Sequence, residues 1–398
     1  HRQAGQQRLA MFVDVGVEFE AARAPDGAGV MVDGFVAPGF ERVRDVFAEQ
    51  LSEEMGAGFA AVRDGEVVVD IWGGWANREH TRLWVKDTIV PVYSTTKGVS
   101  AIVLAKLFDQ GLLDYDAPVS ALWPAFGAHG KDRVTIAQTL AHQAGVPGFI
   151  DPIDPDLWLD PPVCAEAIAA LAPLWPPGSA SGYHPLTWGY IAGEVAQRAG
   201  GRSLGTVLRE DICAPLGIDF QIGTPENEHA RASEMKKPTR GGDFGEITPP
   251  RKAAFFSKWA APVRGSTQWR KIEIPSANGH GTALGVARLY EVYATSGFIN
   301  GARVLSQEAF DSLTKRRWKG DDLVLPYNVD WRTGIIGNSN KIYGPNLEAF
   351  GHSGAGGSVG FGDPVAGVSA GYVMNKQSHF IMGDPRSLKL IDALYSCL

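Results

Sequence analysis

Residues 91–101 read "PVYSTTKGVSA", a serine three places ahead of a lysine, between an apolar run and a helical pattern. Two readings compete on equal terms: Ser94 caps a helix while Lys97 snorkels to water, or Ser94 is a nucleophile whose proton Lys97 takes. The spacing alone does not choose, because Ser-x-x-Lys recurs at Ser233–Lys236 and Ser312–Lys315. Those two lie in a charged loop, "RASEMKKPTR", and on a polar helix face, "SQEAFDSLTKRRW", with nothing apolar nearby to alter a lysine's protonation. Around Ser94 the setting differs. "TIVPVY" enters as a strand-like run, and Val99, Ile102, Val103, Leu104, Leu107 and Phe108 make the next helix apolar on most faces. Such a helix is buried. Its first turn would set Ser94 and Lys97 on one side and aim the N-terminal amides at the serine, and burial would lower the lysine pKa towards that of a base.

The 398 residues suffice for one large domain or two, and their balance of apolar and charged residues is that of a globular chain. Net charge is −7, and no Lys/Arg stripe with interleaved aromatics occurs, so no nucleic-acid partner is expected. Cys164, Cys213 and Cys397 are far apart, which suits neither a zinc site nor a disulfide framework; a reducing, cytoplasmic setting without metal or cofactor fits best. There is no apolar run of membrane-spanning length and no signal-peptide pattern, so no membrane span is expected. The first ten residues, "HRQAGQQRLA", begin without an initiator and are not expected to contribute to the fold.

Strand signals gather at the two ends. Residues 40–51 have helical spacing, and "FAAVRDGEVVVDIWGG" reads as two strands around the hairpin signal Asp64-Gly65. "GGSVGFGDPVAGVSAGYVMNK" reads as two more strands and "PRSLKLIDALYSCL" as a closing helix with proline in its first turn. Between them lie helical patterns at 98–110, 133–143, 164–172, 188–199 and 282–295, with long loops at 144–163 and 220–275. The second loop is long enough to be a lid or a decoration.

A lysine base needs a partner to carry the proton to a leaving group. Tyr183, in "SASGYHPLTWGYIAGEVAQRAG" directly before a helix, is available, although buried tyrosines are more often packing residues. "FGHSGAGGSVGFGD" (350–363) then supplies glycines that let backbone approach a ligand.

At this point "YSTTKG", "SGYHPLTWGYIAGEV" and "GHSGAGGSVGF", in this order, resemble the motifs of the serine β-lactamase and penicillin-binding-protein superfamily, most closely its family VIII carboxylesterases. "KGVSAIVLAKLFDQGLLDYDAPV", "VTIAQTLAHQAGVPGF" and "PSANGHGTALGVARLYEVYA" extend the likeness over roughly 40–375. The resemblance implies an α+β, β-lactamase-like fold with a central antiparallel sheet flanked by helices. It also implies a sheet domain from residues 11–93 and 285–398, and an inserted, mostly helical domain at 94–284. Ser94 matches the family's nucleophile, Lys97 its base and Tyr183 its proton-shuttling tyrosine. The amides of Ser94 and Ala355 match its oxyanion hole, where losing one donor typically costs about 3 kcal/mol of transition-state stabilisation.

The departures are informative. Where β-lactamases carry Tyr-x-Asn and Lys-Thr-Gly, this chain has Tyr183-His184-Pro185 and His352-Ser353-Gly354. Neutral histidine offers no fixed cation for a substrate carboxylate, so anionic β-lactams should bind poorly, leaving room for weak cephalosporin hydrolysis. The expectation is a serine carboxylesterase acting on a small, short-acyl ester, with His184, His352, Ser353 and Gly354 contacting substrate. A β-lactamase, an amide hydrolase or acyltransferase on the same residues, and a penicillin-recognising protein without turnover remain alternatives. "GVSAG" (367–371) imitates the G-x-S-x-G elbow, but Ser369 sits inside an alternating strand pattern rather than between strand and helix. His142 and His280 read as structural. Phe149, Trp158, Trp259 and Trp269 either narrow an acyl pocket or pack the core.

Overall fold

The computed structural model describes residues 31–257, 259 and 265–398. Its first strands are β1 (Val32–Val36), β2 (Gly56–Arg63) and β3 (Glu66–Gly74). Asp64 and Gly65 join β2 to β3 with φ of 49° and 86°, the positive values that a two-residue hairpin needs to match strand twist. Six strands follow much later in the chain: β4 (Trp318–Asp321), β5 (Asn328–Trp331), β6 (Ile336–Gly337), β7 (Phe350–Ser353), β8 (Val359–Asp363) and β9 (Val368–Met374). All nine form one antiparallel sheet in the order β1-β3-β2-β9-β8-β7-β6-β5-β4. The seam between early and late strands is β9 against β2, with Val368 opposite Arg63 and Met374 opposite Ala57.

Five helices frame this sheet and the site: α1 (Glu41–Gln50), α2 (Thr95–Asp109), α3 (Thr187–Gly200), α4 (Ala283–Thr295) and α5 (Pro385–Tyr395). The pleat's two-residue period decides which face each one covers. Gly360 and Gly362 of β8 face α4: a Cβ on either would come within 2.6 Å of Tyr290 atoms, and one on Gly371 of β9 would press on Val286. Phe361, between them, turns the other way and stacks on Tyr395 of α5, ring centroids 6.3 Å apart. With both faces covered, β9 is buried throughout and β2 up to its last residue. That explains why they read as near-continuous apolar runs rather than strict alternation. Gly360 and Gly362, two of the glycines expected to let backbone approach a ligand, instead let α4 lie close on the sheet.

The fold is therefore α+β, a large antiparallel sheet flanked by helices. We propose that it divides at 93/94 and 284/285 as the connectivity suggests; residues 11–30 of that sheet domain, like the first ten, lie outside the described residues. The reading of 220–275 as a loop is corrected. It holds the short strand Phe220–Gln221 and helices Pro249–Phe255 and Thr267–Lys271, the first opened by two prolines and the second capped by Ser266; residues 258 and 260–264 of it lie outside the described residues. The helical pattern at 133–143 shrinks to Ile136–Leu140, because Thr135 and Gln138 close a capping box and His142 takes φ 65° just beyond its end. Among the described residues no helix is long and apolar enough to cross a membrane, and no group of three His, Cys, Asp or Glu could hold a metal ion. The three cysteines are free.

Candidate active site

The start of α2 is held from several sides. Tyr290 and Tyr293 of α4 donate to the carbonyls of Thr95 (2.7 Å) and Gly98 (2.6 Å), Ser100 donates to Pro275 O (2.6 Å), and Gly279 N–H donates to Thr96 Oγ1 (3.0 Å). Tyr93, just before Ser94, has φ 48°. A bulky aromatic residue in the left-handed region is strained by about 1–3 kcal/mol, and here the strained turn delivers the chain from the short strand Val90–Pro91 into the helix that carries Ser94. Ser94 occupies the N-cap position but has helical φ/ψ, and its side chain makes no capping bond. The capping reading fails, and so does the snorkelling lysine, because Lys97 is fully buried. Lys236 and Lys315 of the other Ser-x-x-Lys pairs are exposed.

Lys97 Nζ lies 3.0 Å from Ser94 Oγ, 2.9 Å from Tyr183 Oη, 2.8 Å from Pro185 O and 3.1 Å from Ser276 O, while the Tyr183 hydroxyl donates to Ser94 Oγ. Donor and acceptor inventory gives this geometry a meaning. The two carbonyls only accept, so they take two N–H bonds; the remaining position of the nitrogen faces the two hydroxyls. Burial holds the Lys97 amine well below the usual lysine range and holds the Tyr183 phenol above its own. The favoured state is thus a neutral amine, with a lone pair for a hydroxyl proton, beside a protonated phenol. Serine, lysine and tyrosine form a closed triangle through which one proton can pass.

Tyr183 is fixed from behind. Its ring stacks on Trp331 (5.7 Å, 10°), and its N–H donates to Asp322 Oδ1 (2.9 Å). Asp322, 5 % exposed, also accepts from Val324 N, Leu325 N and Trp331 Nε1. Nothing in the sequence singles out Asp322 or Trp331; both reach Tyr183 only through the sheet edge at β4 and β5.

The third motif docks beside the first. A Cβ on Gly354 would sit 2.2 Å from Val92 O and 3.2 Å from Thr95 Oγ1, so this loop rests on residues flanking Ser94; Ser358 Oγ donates to Val92 O (2.7 Å) and pairs with Thr95 Oγ1 (3.0 Å). Within 91–100 the one residue not buried is Ser94, within 181–190 it is Pro185, and within 351–360 it is Ala355. Each motif thus surfaces at a single residue. Among the described residues the N–H groups of Ser94 and Ala355 have no hydrogen-bond acceptor.

All four residues expected to contact substrate are buried, and His352 lies beside the triangle with its ring 6.3 Å from that of Tyr183. His184 accepts from Val146 N–H (3.0 Å) and pairs through Nδ1 with Gly182 O (2.6 Å), so its ring braces the 145–146 turn against the second motif. His352 is 2 % exposed and pairs with Ser353 O, Ser353 Oγ faces Tyr343 Oη inside the sheet layer (3.3 Å), and Gly354 N–H is taken by Ser358 O (2.8 Å). Burial holds the imidazoles of His184 and His352 down at about 3, so both are neutral. His142 and His280 are buried and structural: His142 Nδ1 accepts from His184 N–H, and His280 packs on Trp269. Phe149, Trp158, Trp259 and Trp269 are buried core residues, with Phe149 edge-on to Trp259 at 5.0 Å. Ser369 lies inside β9 and donates to Ala287 O (2.8 Å), which removes it as a nucleophile.

Comparison with known proteins agrees with this architecture. The family model described as Beta-lactamase matches residues 43–391. The chain is 36% identical over 386 residues to the Esterase/beta-lactamase LipL of Mycobacterium tuberculosis, covering 92% of this chain and 88% of that protein. Among solved structures it is similar to a penicillin-binding protein homologue from Caulobacter crescentus (48% identity, TM-score 0.90, covering 92% of this chain and 100% of that one). It is also similar to a family VIII carboxylesterase (40% identity, TM-score 0.86, with the same coverage). The chain belongs to the β-lactamase family.

Proposed function

We propose that this β-lactamase-fold hydrolase is a serine carboxylesterase that cleaves small, short-acyl esters through an acyl-enzyme on Ser94. The observation that carries the reading is the closed triangle of Ser94 Oγ, Lys97 Nζ and Tyr183 Oη around a fully buried amine. Neutral Lys97 takes the Ser94 proton as Oγ adds to the ester carbonyl, and the Ser94 and Ala355 amides receive the negative oxygen. Collapse breaks the bond to the alkoxide, which leaves with a proton passed from Lys97 through the Tyr183 hydroxyl. Water then adds to the acyl carbon, giving its proton to the same pair, and the carboxylic acid departs as Ser94 regains its hydrogen. Neutral His352, where β-lactamases keep a lysine, favours an uncharged ester over a β-lactam carboxylate.

The test is release of p-nitrophenol from a short-chain ester, with the trapped acyl group located by peptide mass spectrometry. An adduct on Ser94 with continuing turnover, lost in Ser94→Ala and retained in Ser369→Ala, is expected; activity that survives Ser94→Ala refutes the mechanism. The 48% identical penicillin-binding protein homologue favours one second reading, an acyl-accepting protein without turnover. It predicts an adduct on Ser94 that outlasts the substrate.

A further inference from the structure

Behind the third motif lies a buried set of charges that the proton triangle does not use. Arg386, in the first turn of α5 and 11 % exposed at its side chain, meets Glu54 Oε2 at 2.8 Å and Asp384 Oδ2 at 2.9 Å. It also donates to Lys376 O (2.9 Å) and Gly356 O (2.8 Å). Glu54 additionally accepts from the Tyr372 hydroxyl, and Asp384 from Ser378 Oγ at 2.6 Å. Two carboxylates and a guanidinium this deep are expensive to desolvate, and apolar side chains of similar size would usually be no less stable. The arrangement therefore calls for a reason beyond stability.

The loop they hold gives that reason. Between Gly354 and Gly357 almost every backbone group is tied down: Gly354 N to Ser358 O, Gly356 N to Phe380 O, Gly357 N to Gly354 O, Ala355 O to the Gln377 side chain, and Gly356 O to both Arg386 and Ser378 N. The one N–H left without an acceptor is that of Ala355, the only residue of 351–360 that is not buried. The loop is moulded on the ion pair. Gly357 has φ 129°, and a Cβ there would lie 2.7 Å from both Arg386 Nη2 and Asp384 Oδ2.

We propose that Arg386, gripped between Glu54 and Asp384, is a positioning residue that fixes the Gly356 carbonyl and so aims the Ala355 amide at the developing oxyanion. The proposal rests on the reading of Ser94 and Ala355 as the oxyanion donors. Arg386→Lys keeps one positive charge but cannot reach Glu54, Asp384 and Gly356 O together. Misplacing a reacting or stabilising group by about 1 Å is worth on the order of 100-fold in rate. The expected signature is a kcat on a short p-nitrophenyl ester lowered about 10- to 100-fold with KM within about threefold. Affinity for phenylboronic acid, whose tetrahedral adduct on Ser94 presents an oxygen to the same amides, should fall by a similar factor.

Gly357→Ala disturbs the fit from the loop side with all three charged residues present, and it gives the same signature even where Arg386→Lys does not fold. If either folded variant keeps kcat and boronate affinity within about twofold of the parent, whatever its melting temperature, the proposal is overturned. A parent protein that binds the boronic acid but turns over no ester refutes the esterase reading alone, and the boronate comparison then still decides the role of Arg386.

Discussion

Gly98 is the position where a single methyl group tests the account of how Ser94 is held. Helix propensity argues that Gly98→Ala in the first turn of α2 gains up to about 1 kcal/mol. The structure argues the opposite, since an added Cβ would sit 2.1 Å from Tyr290 Oη, 2.6 Å from Tyr290 Cζ and 2.9 Å from Ile335 Cδ1, against ordinary carbon contacts of about 3.5–4.0 Å. Tyr290 has nowhere to go. It is fully buried, its ring lies against Gly360, and it packs on Tyr293 with centroids 5.4 Å apart. Relieving the clash means moving the ring by about 1 Å and breaking its bond to Thr95 O. Overpacking costs about 1–3 kcal/mol, and the buried Tyr290 hydroxyl left without its acceptor adds about 1–3. Less the propensity gain, the net destabilisation is about 1–5 kcal/mol, centred near 3. Urea unfolding of Gly98→Ala should show this as a lower midpoint at unchanged slope, and kcat should fall as well, because Thr95 O belongs to the turn that carries Ser94. Tyr290→Phe removes the atom nearest the new methyl, so the double variant should be less destabilised than the sum of the singles by about 1 kcal/mol or more. Strict additivity, or a Gly98→Ala variant as stable as its parent, refutes the packing argument.

Other perturbations test the site directly. Because the neutral amine is the base, activity should be lost as pH falls through the folded-state pKa of Lys97, which burial has set well below 10.5, and Arg in its place should not restore it. The same shift is a stability statement: the unfolded chain holds a proton that the folded chain lacks, so wild type should gain up to about 1.4 kcal/mol per pH unit relative to Lys97→Met between pH 8 and 10, and a gap that ignores pH would count against a neutral Lys97. Asp322→Asn turns an acceptor-only carboxylate facing four N–H donors into a group with two donors of its own. A loss of about 1–3 kcal/mol with a lower kcat is expected in thermal unfolding and ester assays. Ser369→Ala should leave kcat unchanged and cost about 0.5–1.5 kcal/mol, the net worth of its one hydrogen bond to Ala287 O.

What could be read from the chain was whatever depends on short separations. Asp64-Gly65 specifies a hairpin locally, Pro385 opens a helix locally, and the three-residue step from Ser94 to Lys97 puts both on one helix face. The apolar residues that follow Lys97 even foretell its burial, which is what separates this pair from Ser233–Lys236 and Ser312–Lys315. The errors lie where a residue's partner is set by the sheet. His184 stands at a motif position and is expected to face substrate; instead it braces a turn through Val146, 38 residues away, whereas His352 keeps its ring beside Tyr183, 6.3 Å between centroids. The short strands β4 to β6, towards one end of the sheet, carry weak patterns of their own and take their conformation from neighbours.

Arg386 marks the far end of this scale. Its contact with Glu54 joins residues 332 positions apart, and its contact with Gly356 O exists only because β8, β9 and α5 return the chain beside the third motif. A sequence motif names the groups that touch the substrate, because their chemistry restricts the residue types allowed. It is silent on the groups that aim a backbone amide, since any side chain reaching the right carbonyl would serve. Ala355 makes the point: its side chain is a methyl group, its proposed contribution is an N–H that every residue but proline possesses, and the group proposed to aim that N–H, through Gly356 O, is a guanidinium 30 residues beyond Gly356. On this proposal, oxyanion geometry is a property of the folded loop and its buried ion pair, and variation at Glu54, Asp384 or Arg386 should alter turnover while leaving all three motifs intact.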